Sequence, residues 1–461
     1  MLALNLMNRS YMELLQPLDY DQAAPPGFLW IEKAAIQVFG NNEFSLRLFP
    51  LIAGIISMIA FYPLSKWMVS AIAVPIALLL FACSRFTLYY ATEVKQYSSD
   101  VMFALLVALL LIPLRGELLA KGKSILLGII GAIAVWFSHP VIFVLAGIES
   151  ATWITSPAEK RKPILINRLP IYCLWILSFA TLYFTITANL MKNRTLQSTW
   201  GGEYPGNVFD LVWLLDSFGR IFHRPLGFPG PFDAIALVTF VIGCFAFFKL
   251  NRKPELLILM APSFFTLAAA YLHKYPFRAR LILFLAPFFM LVIAEGIAYL
   301  LAQFQKRKIA GVLGVVLAGL LLIPSVTRAT GYVFYPETKE EFRSVLEYVN
   351  QHRKAGDIIY VGAGNHFRYY ADKFGYSKAD YVGGEQDIFE PKQNNFSPQV
   401  WQEFMKTNNL QSGQRVWFVF AGVASNKNNR QAIVKSRLDS TGQELDYFQQ
   451  PGAYTYLYQL K

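Results

Sequence analysis

Long apolar runs constrain the fold of this chain more than any other feature of the sequence. Three of them, at residues 71–83, 281–304 and 309–324, approach or exceed the roughly 18 to 20 apolar residues that a helix needs to cross a hydrocarbon core of ~30 Å. Charged residues make up only 16% of the chain, whereas soluble domains carry roughly 25%. The sequence therefore predicts an α-helical polytopic membrane protein.

Breaks and charges divide the apolar part into about ten predicted transmembrane helices. Their limits are 46–66, 71–89, 98–114, 124–137, 139–154, 169–190, 232–250, 254–273, 280–302 and 309–327. Lys and Arg cluster in short loops between these runs, at 115–123, 160–168, 249–253 and 306–308. The net charge of +12 therefore reports membrane topology and gives no reason to expect nucleic acid as a partner.

The number of membrane crossings between basic loops places a break inside one apolar stretch. Residues 124–150 lie between two basic loops, and a single helix of that length would run about 40 Å and put the two loops on opposite sides of the membrane. A break at Ser138, His139 and Pro140 restores a common cytoplasmic side for all four basic loops. We therefore predict two short passes or a re-entrant hairpin there.

The domain organisation follows from this topology. We predict an outer juxtamembrane segment at 1–45, a transmembrane domain at 46–330, and a small soluble α/β domain outside the membrane at 331–461. In the last domain the stretch TKEEFRSVLEYVNQHRKAGDIIYVGAG predicts an amphipathic helix, a Gly turn and an alternating strand. A second strand RVWFVFAG, a helix closed by Gly442, and a final strand AYTYLYQL follow it. Three separated cysteines give neither a disulfide framework nor a zinc spacing.

A charged cluster stands at the predicted outer mouth of two helices. The stretch YYATEVKQYSSD contains Glu93, Lys95, Tyr97 and Asp100. Carboxylates at such a position are costly to bury, so they are paired, hydrated or functional. Asp100 in a first helical turn is equally consistent with a cap that has Lys95 as its counter-ion, because a carboxylate there is favoured by the helix dipole.

Further candidate residues also have two interpretations each. His139 interrupts an apolar stretch as a hydrogen-bonded structural residue or as a ligand contact. Arg278 and Arg280 crowd another helix mouth, either snorkelling to the interface or forming a phosphate cradle, since guanidinium binds phosphate oxygens in a bidentate fork. The aromatic, Gly-rich and Pro-rich loop 191–231 suits a sugar or the headgroup belt of the membrane.

The segment QAAPPGFLWIEKAAIQVFGNNEFSLRLFPLI joins a Pro-Pro break to a helix entry. Its defining positions are Pro25, Pro26, Lys33, Gly40, Glu43 and Arg47. Together with TEVKQYSSD, FSHPVIFVLAG and PFRARLILFLAPFFM, it resembles the GT-C glycosyltransferases of the dolichyl-phosphate-mannose protein mannosyltransferase type, which include the lipid A aminoarabinose transferases. The resemblance covers nearly the whole membrane part of the chain.

The resemblance implies a glycosyltransferase that takes a sugar from a polyprenyl-phosphate donor. It gives catalytic places to Glu93 and Asp100, donor-phosphate contacts to Lys95, Arg278 and Arg280, and substrate contacts to Tyr97 and His139. Lys95 stands where the family has arginine. No cofactor and no metal site are implied by these residues, although a divalent metal is compatible with the chemistry. The acceptor, whether lipid, glycan or protein, is not indicated.

One departure concerns the catalytic base. The family carries an Asp-Glu pair in its first outer loop, just after the first helix. In this sequence Met1 corresponds to a position after that pair, so the pair is not among the given residues. We therefore expect a first helix to be missing from the sequence or Met1 to be a misplaced start. Asp19 and Asp21 are the nearest aspartates, and neither matches the pair.

The expected reaction is a single-step inverting transfer at the periplasmic face of a bacterial inner membrane. Because the leaving group is a phosphate, no general acid is needed, and cations can stabilise its charge. The alternative is a non-catalytic binding protein for lipid-linked sugars, or a transporter. A transporter would place its ionisable residues near the membrane midplane, whereas here they gather at helix mouths.

Overall fold

A computed structural model describes residues 1–187, 200–336, 338, 340–384, 387–389, 396–421 and 430–461. These residues form two compact units, 2–334 and 335–461. The helices of the first unit are α1 (Leu2–Asn8), α2 (Pro26–Phe39), α3 (Ser45–Met68), α4 (Ala73–Ala82), α5 (Arg85–Tyr90), α6 (Tyr97–Leu111), α7 (Lys121–Phe137), α8 (Val141–Thr155), α9 (Ala158–Leu182), α10 (Leu211–His223), α11 (Phe232–Lys249), α12 (Lys253–Tyr271), α13 (Ala286–Ala302) and α14 (Lys308–Phe334).

The first unit is a multi-pass membrane domain. Within the described ranges, seven helical stretches are long and apolar enough to cross a membrane, namely Ser45–Met68, Tyr97–Leu114, Ala158–Ile186, Phe232–Lys249, Lys253–Tyr271, Ala279–Ala302 and Lys308–Phe334. Shorter apolar helices occur at Ala73–Ala82 and Val141–Thr155. All ten predicted runs are mainly helical where they are described, and the fold class predicted from the sequence is confirmed. Helix α13 lies at the centre of the bundle with nearly all its side chains buried.

Of two predicted features of the membrane helices, one is confirmed and the other is wrong. The apolar stretch after the basic loop is broken as expected, because α7 ends at Phe137 and α8 begins at Val141. The run 71–89 is not one helix, however. It consists of α4 and α5, separated at Cys83 and Ser84, where the Ser84 backbone is extended and its hydroxyl donates to the carbonyl oxygen of Leu226 at 3.2 Å.

The segment before the membrane helices packs on α2. Lys33 of α2 donates to the carbonyl oxygen of Leu6 at 3.0 Å, and the indole of Trp30 donates to the carbonyl oxygen of Tyr11 at 2.9 Å. Pro26 occupies the first turn of α2, where its missing N–H costs no hydrogen bond. The Pro-Pro break therefore starts this helix at a fixed place and leaves residues 20–25 as a loop beside it.

Glu32 of α2 makes stability depend on pH. Both carboxyl oxygens are buried and have no hydrogen-bond partner among the described residues, and burial raises the pKa of Glu32 to about 9. Because the folded state holds this proton above the unfolded pKa of about 4.3, we expect stability to fall as pH rises from about 5 to 9, by up to about 1.4 kcal/mol per pH unit. Unfolding curves of the wild type and of Glu32→Gln should diverge along this range, and parallel curves would contradict the prediction.

The second unit is a three-layer α/β domain. Its helices are α15 (Phe342–His352), α16 (Gly364–Ala371), α17 (Pro398–Thr407) and α18 (Arg430–Thr441), and its strands are β1 (Ile358–Val361), β2 (Tyr381–Gly383), β3 (Arg415–Ala421), β4 (Gly442–Gln450) and β5 (Ala453–Leu460). The sheet order is β2-β1-β3-β5-β4, with β2, β1 and β3 parallel and the rest antiparallel.

Alternation along β3 explains the two helical layers. Trp417 and Val419 pack with α15 and α16 on one face, whereas Val416, Phe418 and Phe420 pack with α17 and α18 on the other. The helix that the sequence closes at Gly442 does end at Thr441. Gly442 itself begins strand β4, which the sequence analysis missed because its exposed side chains leave little apolar alternation.

Candidate active site

A cavity of about 500 Å³, called here the outer cavity, lies within the first unit. Five segments converge on it: the loop before α2, the start of α6, the turn between α7 and α8, residues 200–204, and the segment 273–281 that leads into α13. Its polar and aromatic lining residues are Asp21, Gln22, Lys95, Gln96, Tyr97, Asp100, His139, Trp200, Tyr204, His273, Lys274, Tyr275 and Arg280. Five of the seven residues predicted from the sequence are therefore brought together.

A buried carboxylate forms one wall of the outer cavity. Asp100 lies in the first turn of α6 and is only 4% exposed. Its Oδ1 accepts a hydrogen bond from the hydroxyl of Ser138 at 2.6 Å, so the carboxylate is tied to the turn between α7 and α8. The arrangement holds the remaining oxygen of Asp100 in a fixed direction.

His139 stands next to this contact. Its Nε2 is buried and has no hydrogen-bond partner among the described residues, although the ring lines the cavity. A buried polar atom without a partner costs free energy unless a ligand or water satisfies it. Of the two interpretations given by the sequence, this geometry fits a residue that contacts a ligand.

Two cations face the outer cavity from different segments. Lys95 donates to the side-chain oxygen of Gln22 at 2.5 Å, which links the loop before α6 to the loop before α2. The guanidinium of Arg280 lies 5.7 Å from the ring centre of Tyr97 and 5.6 Å from that of Trp200. Burial, and after it the charge of Arg280, lowers the pKa of Lys95 to about 8. An anion bound in the cavity would be attracted by both cations and would relieve their mutual repulsion.

Two residues assigned from the sequence lie elsewhere. Arg278 is 9% exposed and forms ion pairs with Glu203 at 2.5 Å and with Asp216 at 3.1 Å, and it is not among the residues that line the outer cavity. Glu93 is half-buried and is also outside this lining. The roles that the resemblance gives these two residues stay predictions.

The backbone at Ala279 separates the two arginines. Its φ of 47° is in the left-handed region, where non-glycine residues are uncommon. The chain therefore turns sharply between Arg278 and Arg280, and the first meets carboxylates while the second meets aromatic rings. An arginine-rich loop in a sequence does not reveal such a turn.

Asp21 is a cavity residue that the sequence analysis set aside. It lines the outer cavity and is exposed, and both Tyr20 and Asp21 have a positive φ, of 61° and 52°. Strained backbone of this kind persists where the surrounding structure enforces it, often at functional sites. The only sequence signal was the proximity of Asp21 to the Pro-Pro break. Trp200 and Tyr204, in contrast, come from the aromatic loop that the sequence had indicated; its residues 191–199 lie outside the described residues.

An apolar groove of about 240 Å³ shares helix α6 with the outer cavity. It is lined by α3, α5 and α6, and its members Ser98 and Leu283 are close in sequence to the cavity residues Tyr97 and Arg280. We call it the α3–α6 groove. Its walls are almost entirely apolar, which suits a hydrocarbon chain whose polar end lies near Arg280.

No metal site accompanies the cavity in the part of the chain that the structure describes. Within those ranges, no three His, Cys, Asp or Glu side chains are grouped so that they could hold a metal ion.

A family model matches the first part of the membrane domain. Residues 23–184, about a third of the chain, match the family model described as dolichyl-phosphate-mannose-protein mannosyltransferase. No curated protein matches the chain by sequence. The resemblance is therefore confirmed over a range that contains the Pro-Pro segment, Lys95, Asp100 and His139.

Solved structures extend the likeness to nearly the whole chain. The oligosaccharyltransferase of Archaeoglobus fulgidus, solved in complex with Zn and sulfate, aligns with a TM-score of 0.51 at 12% identity, over 96% of this chain and 66% of its own. The chain thus spans slightly under two thirds of that protein's length. ArnT from Cupriavidus metallidurans aligns over 99% of this chain and 93% of its own, at 11% identity with a TM-score of 0.47 in the apo state and at 12% and 0.43 when bound to undecaprenyl phosphate. The likeness to the archaeal oligosaccharyltransferase is thus one of fold.

Proposed function

We propose that this chain transfers a sugar from a polyprenyl-phosphate donor to an acceptor at the extracytoplasmic face of a bacterial inner membrane. One observation supports this most strongly. Lys95 and Arg280 line one cavity together with a buried carboxylate, Asp100, and the apolar α3–α6 groove shares helix α6 with that cavity. A lipid with a phosphate head needs this combination of cations next to a hydrocarbon surface. The match to the mannosyltransferase family and the likeness of fold to the archaeal oligosaccharyltransferase support a transferase.

The proposed step is a single displacement at the anomeric carbon. The acceptor oxygen forms a bond to this carbon while the bond from the carbon to the phosphate oxygen breaks, so the configuration inverts. The phosphate leaves with the electron pair, and Lys95 and Arg280 stabilise its charge. The acceptor proton passes to a carboxylate, and the lining supplies two, Asp21 and Asp100. Because Asp100 is fixed by Ser138, we assign to it the orientation of the acceptor hydroxyl.

The outer face is proposed from charge distribution. The basic loops lie at the helix ends opposite to the cavity segments along α6, α7 and α12, and positively charged short loops face the cytoplasm. ArnT, one of the structural neighbours, has been solved with undecaprenyl phosphate bound. We propose a ligand of this chemical class for the outer cavity of this chain.

Loss of either cation should weaken binding of polyprenyl phosphate. For Lys95→Gln and Arg280→Gln we expect affinity to fall roughly 10- to 100-fold each, since charged hydrogen bonds contribute about 1.5–3 kcal/mol. Titration of undecaprenyl phosphate into protein held in nanodiscs measures this. Lys123→Gln, in the basic loop at the other helix ends, is the matched control and should bind like the wild type. Unchanged binding in both cavity variants would contradict the proposal.

The same binding should depend on pH through Lys95. Because the pKa of Lys95 in the empty cavity is about 8, the ammonium is present at pH 7 and largely lost by pH 9. We expect roughly tenfold weaker binding at pH 9 than at pH 7 if the charged form is required. Lys95→Arg keeps its charge over this range and should remove most of the decline. An identical decline in the arginine variant would assign the pH dependence to another group.

A further inference from the structure

A second lipid site is indicated by a large apolar groove in the membrane domain. This groove, of about 530 Å³, lies between α11 and α12 and is floored by Phe218 of α10 and Phe289 of α13. We call it the α11–α12 groove. It shares no lining residue with the outer cavity or with the α3–α6 groove.

The groove exists because two consecutive helices pack on different neighbours. Helix α11 lies against α13 at Gly243, where an added Cβ would overlap the carbonyl oxygen of Val292. Helix α12 lies against α8 at Gly147, where an added Cβ would stand 2.5 Å from the backbone nitrogen of Pro262. Close backbone approach at small residues is how membrane helices associate. Each glycine contact therefore draws its helix away from the other, and the space between α11 and α12 stays open.

The lining positions describe an elongated channel. Along α12 they are Lys253, Leu256, Leu257, Met260, Ser263, Phe264 and Leu267, which form one face of the helix. From the first to the last the rise is about 21 Å, compared with ~15 Å for half of the hydrocarbon core. On α11, Phe240, Cys244 and Phe248 follow at every fourth position. This is space for one extended hydrocarbon chain.

One end of the channel is positively charged. Lys253 is the only charged residue in its lining, and its Nζ lies 5.6 Å from the ring centre of Phe248. Lys249 and Arg252 are close by in the same basic loop. Glu255, the acidic residue of this turn, lies 3.8 Å from Arg115 and is thus partly neutralised by another cation. The loop therefore presents a net positive charge where the hydrocarbon channel begins.

We propose that the α11–α12 groove binds an anionic phospholipid of the cytoplasmic leaflet. An acyl chain fills the channel, and the phosphate lies against Lys253 and its basic neighbours. A hydrocarbon chain is the natural occupant because the lining is apolar and faces the bilayer, with Phe248 and Phe264 more than half exposed. Charge complementarity selects an anionic headgroup, because juxtamembrane Lys and Arg side chains attract acidic lipids. The site would anchor α11 and α12 without contacting the reacting groups.

The native thiol of Cys244 provides a reporter inside the channel. With Cys83→Ser and Cys173→Ser, the chain retains this one cysteine, which is labelled with bimane and verified by mass spectrometry. The protein is placed in phosphatidylcholine vesicles that contain either brominated phosphatidylglycerol or brominated phosphatidylcholine at the same mole fraction. We expect the phosphatidylglycerol to quench the label several-fold more strongly, and Lys253→Gln to reduce this preference. Lys160→Gln, in another basic loop, is the control and should leave the preference unchanged.

Two results would overturn the proposal. Equal quenching by both brominated lipids would mean that the groove has no selectivity for an anionic headgroup. Displacement of the quencher by undecaprenyl phosphate, unaffected by Lys253→Gln, would mean that the groove holds the donor tail. Neither result bears on the outer cavity, whose binding is measured separately with the variants of Lys95 and Arg280.

Discussion

Replacing Arg168 with methionine is expected to lower the free energy of unfolding by about 3–5 kcal/mol, because it leaves a buried carboxylate without its counter-charge. Arg168 of α9 is fully buried, and its Nη1 donates to both carboxyl oxygens of Glu149, at 2.5 and 2.7 Å. The hydroxyl of Tyr172 donates to the same carboxylate at 2.7 Å, and Nη2 of Arg168 donates to the carbonyl oxygen of Leu114. One guanidinium thus joins α8, α9 and the end of α6.

A double variant shows whether the lost stability comes from the unpaired charge of Glu149 or from another effect of replacing Arg168. Removing both charges with Arg168→Met and Glu149→Met should restore much of the lost stability, because apolar replacements of a buried pair are often close to neutral. Tyr172→Phe loses one hydrogen bond to a charged group and should cost about 1.5–3 kcal/mol. Unfolding in mixed micelles with increasing sodium dodecyl sulfate measures all three. A double variant no more stable than Arg168→Met would show that the loss has another origin.

Replacing Asp100 with asparagine is expected to reduce sugar transfer by about 100-fold or more while leaving donor affinity within about threefold. Asparagine keeps the shape of the side chain and still accepts the hydrogen bond from Ser138, so the turn between α7 and α8 should keep its position. It carries no charge to hold the acceptor hydroxyl in the line of attack, and misplacement of a reactant by about 1 Å can cost about 10²-fold in rate. Transfer from a labelled donor and donor binding are measured on the same preparation.

Further variants test the roles of the other two candidate carboxylates, one at a time. Asp21→Asn tests the second carboxylate that lines the outer cavity. Glu93→Gln tests the residue to which the resemblance gives a catalytic role but which lies outside the cavity lining. We expect Glu93→Gln to lose less activity than Asp100→Asn, because the Glu93 side chain does not line the cavity. A collapse of activity in Glu93→Gln with an active Asp100→Asn would reverse this assignment.

The membrane architecture could be predicted from the sequence because lipid imposes a strong constraint. A helix must satisfy its own backbone hydrogen bonds in the bilayer, so apolar runs and basic loops are enough to find the helices. The positions of the basic loops also located the break at Ser138 to Pro140, and Ser138 there donates a hydrogen bond to Asp100. The break between α4 and α5 was missed, because Cys83 and Ser84 carry no glycine or proline signal and Ser84 is fixed by Leu226, far away in sequence.

The candidate site was predictable only in part. Tyr97, Asp100 and His139 could be selected because polar groups near apolar helices need a reason to be there. The different surroundings of Arg278 and Arg280 depend on the left-handed backbone of Ala279, and the place of Asp21 depends on two strained residues. Neither conformation is marked by glycine. Local backbone geometry that tertiary contacts enforce leaves no pattern in the sequence.

The most direct test of the central claim is sugar release from a lipid donor. Purified protein in vesicles is given polyprenyl-phosphate-linked radiolabelled sugar and a total membrane extract as the source of acceptors, and both the labelled product and free polyprenyl phosphate are quantified. We predict that the wild type moves label to a new product with release of one polyprenyl phosphate per sugar, and that Asp100→Asn does so about 100-fold more slowly. Donor binding that depends on Lys95 and Arg280, with no transfer by the wild type, would contradict the claim and identify the chain as a binding protein for lipid-linked sugars.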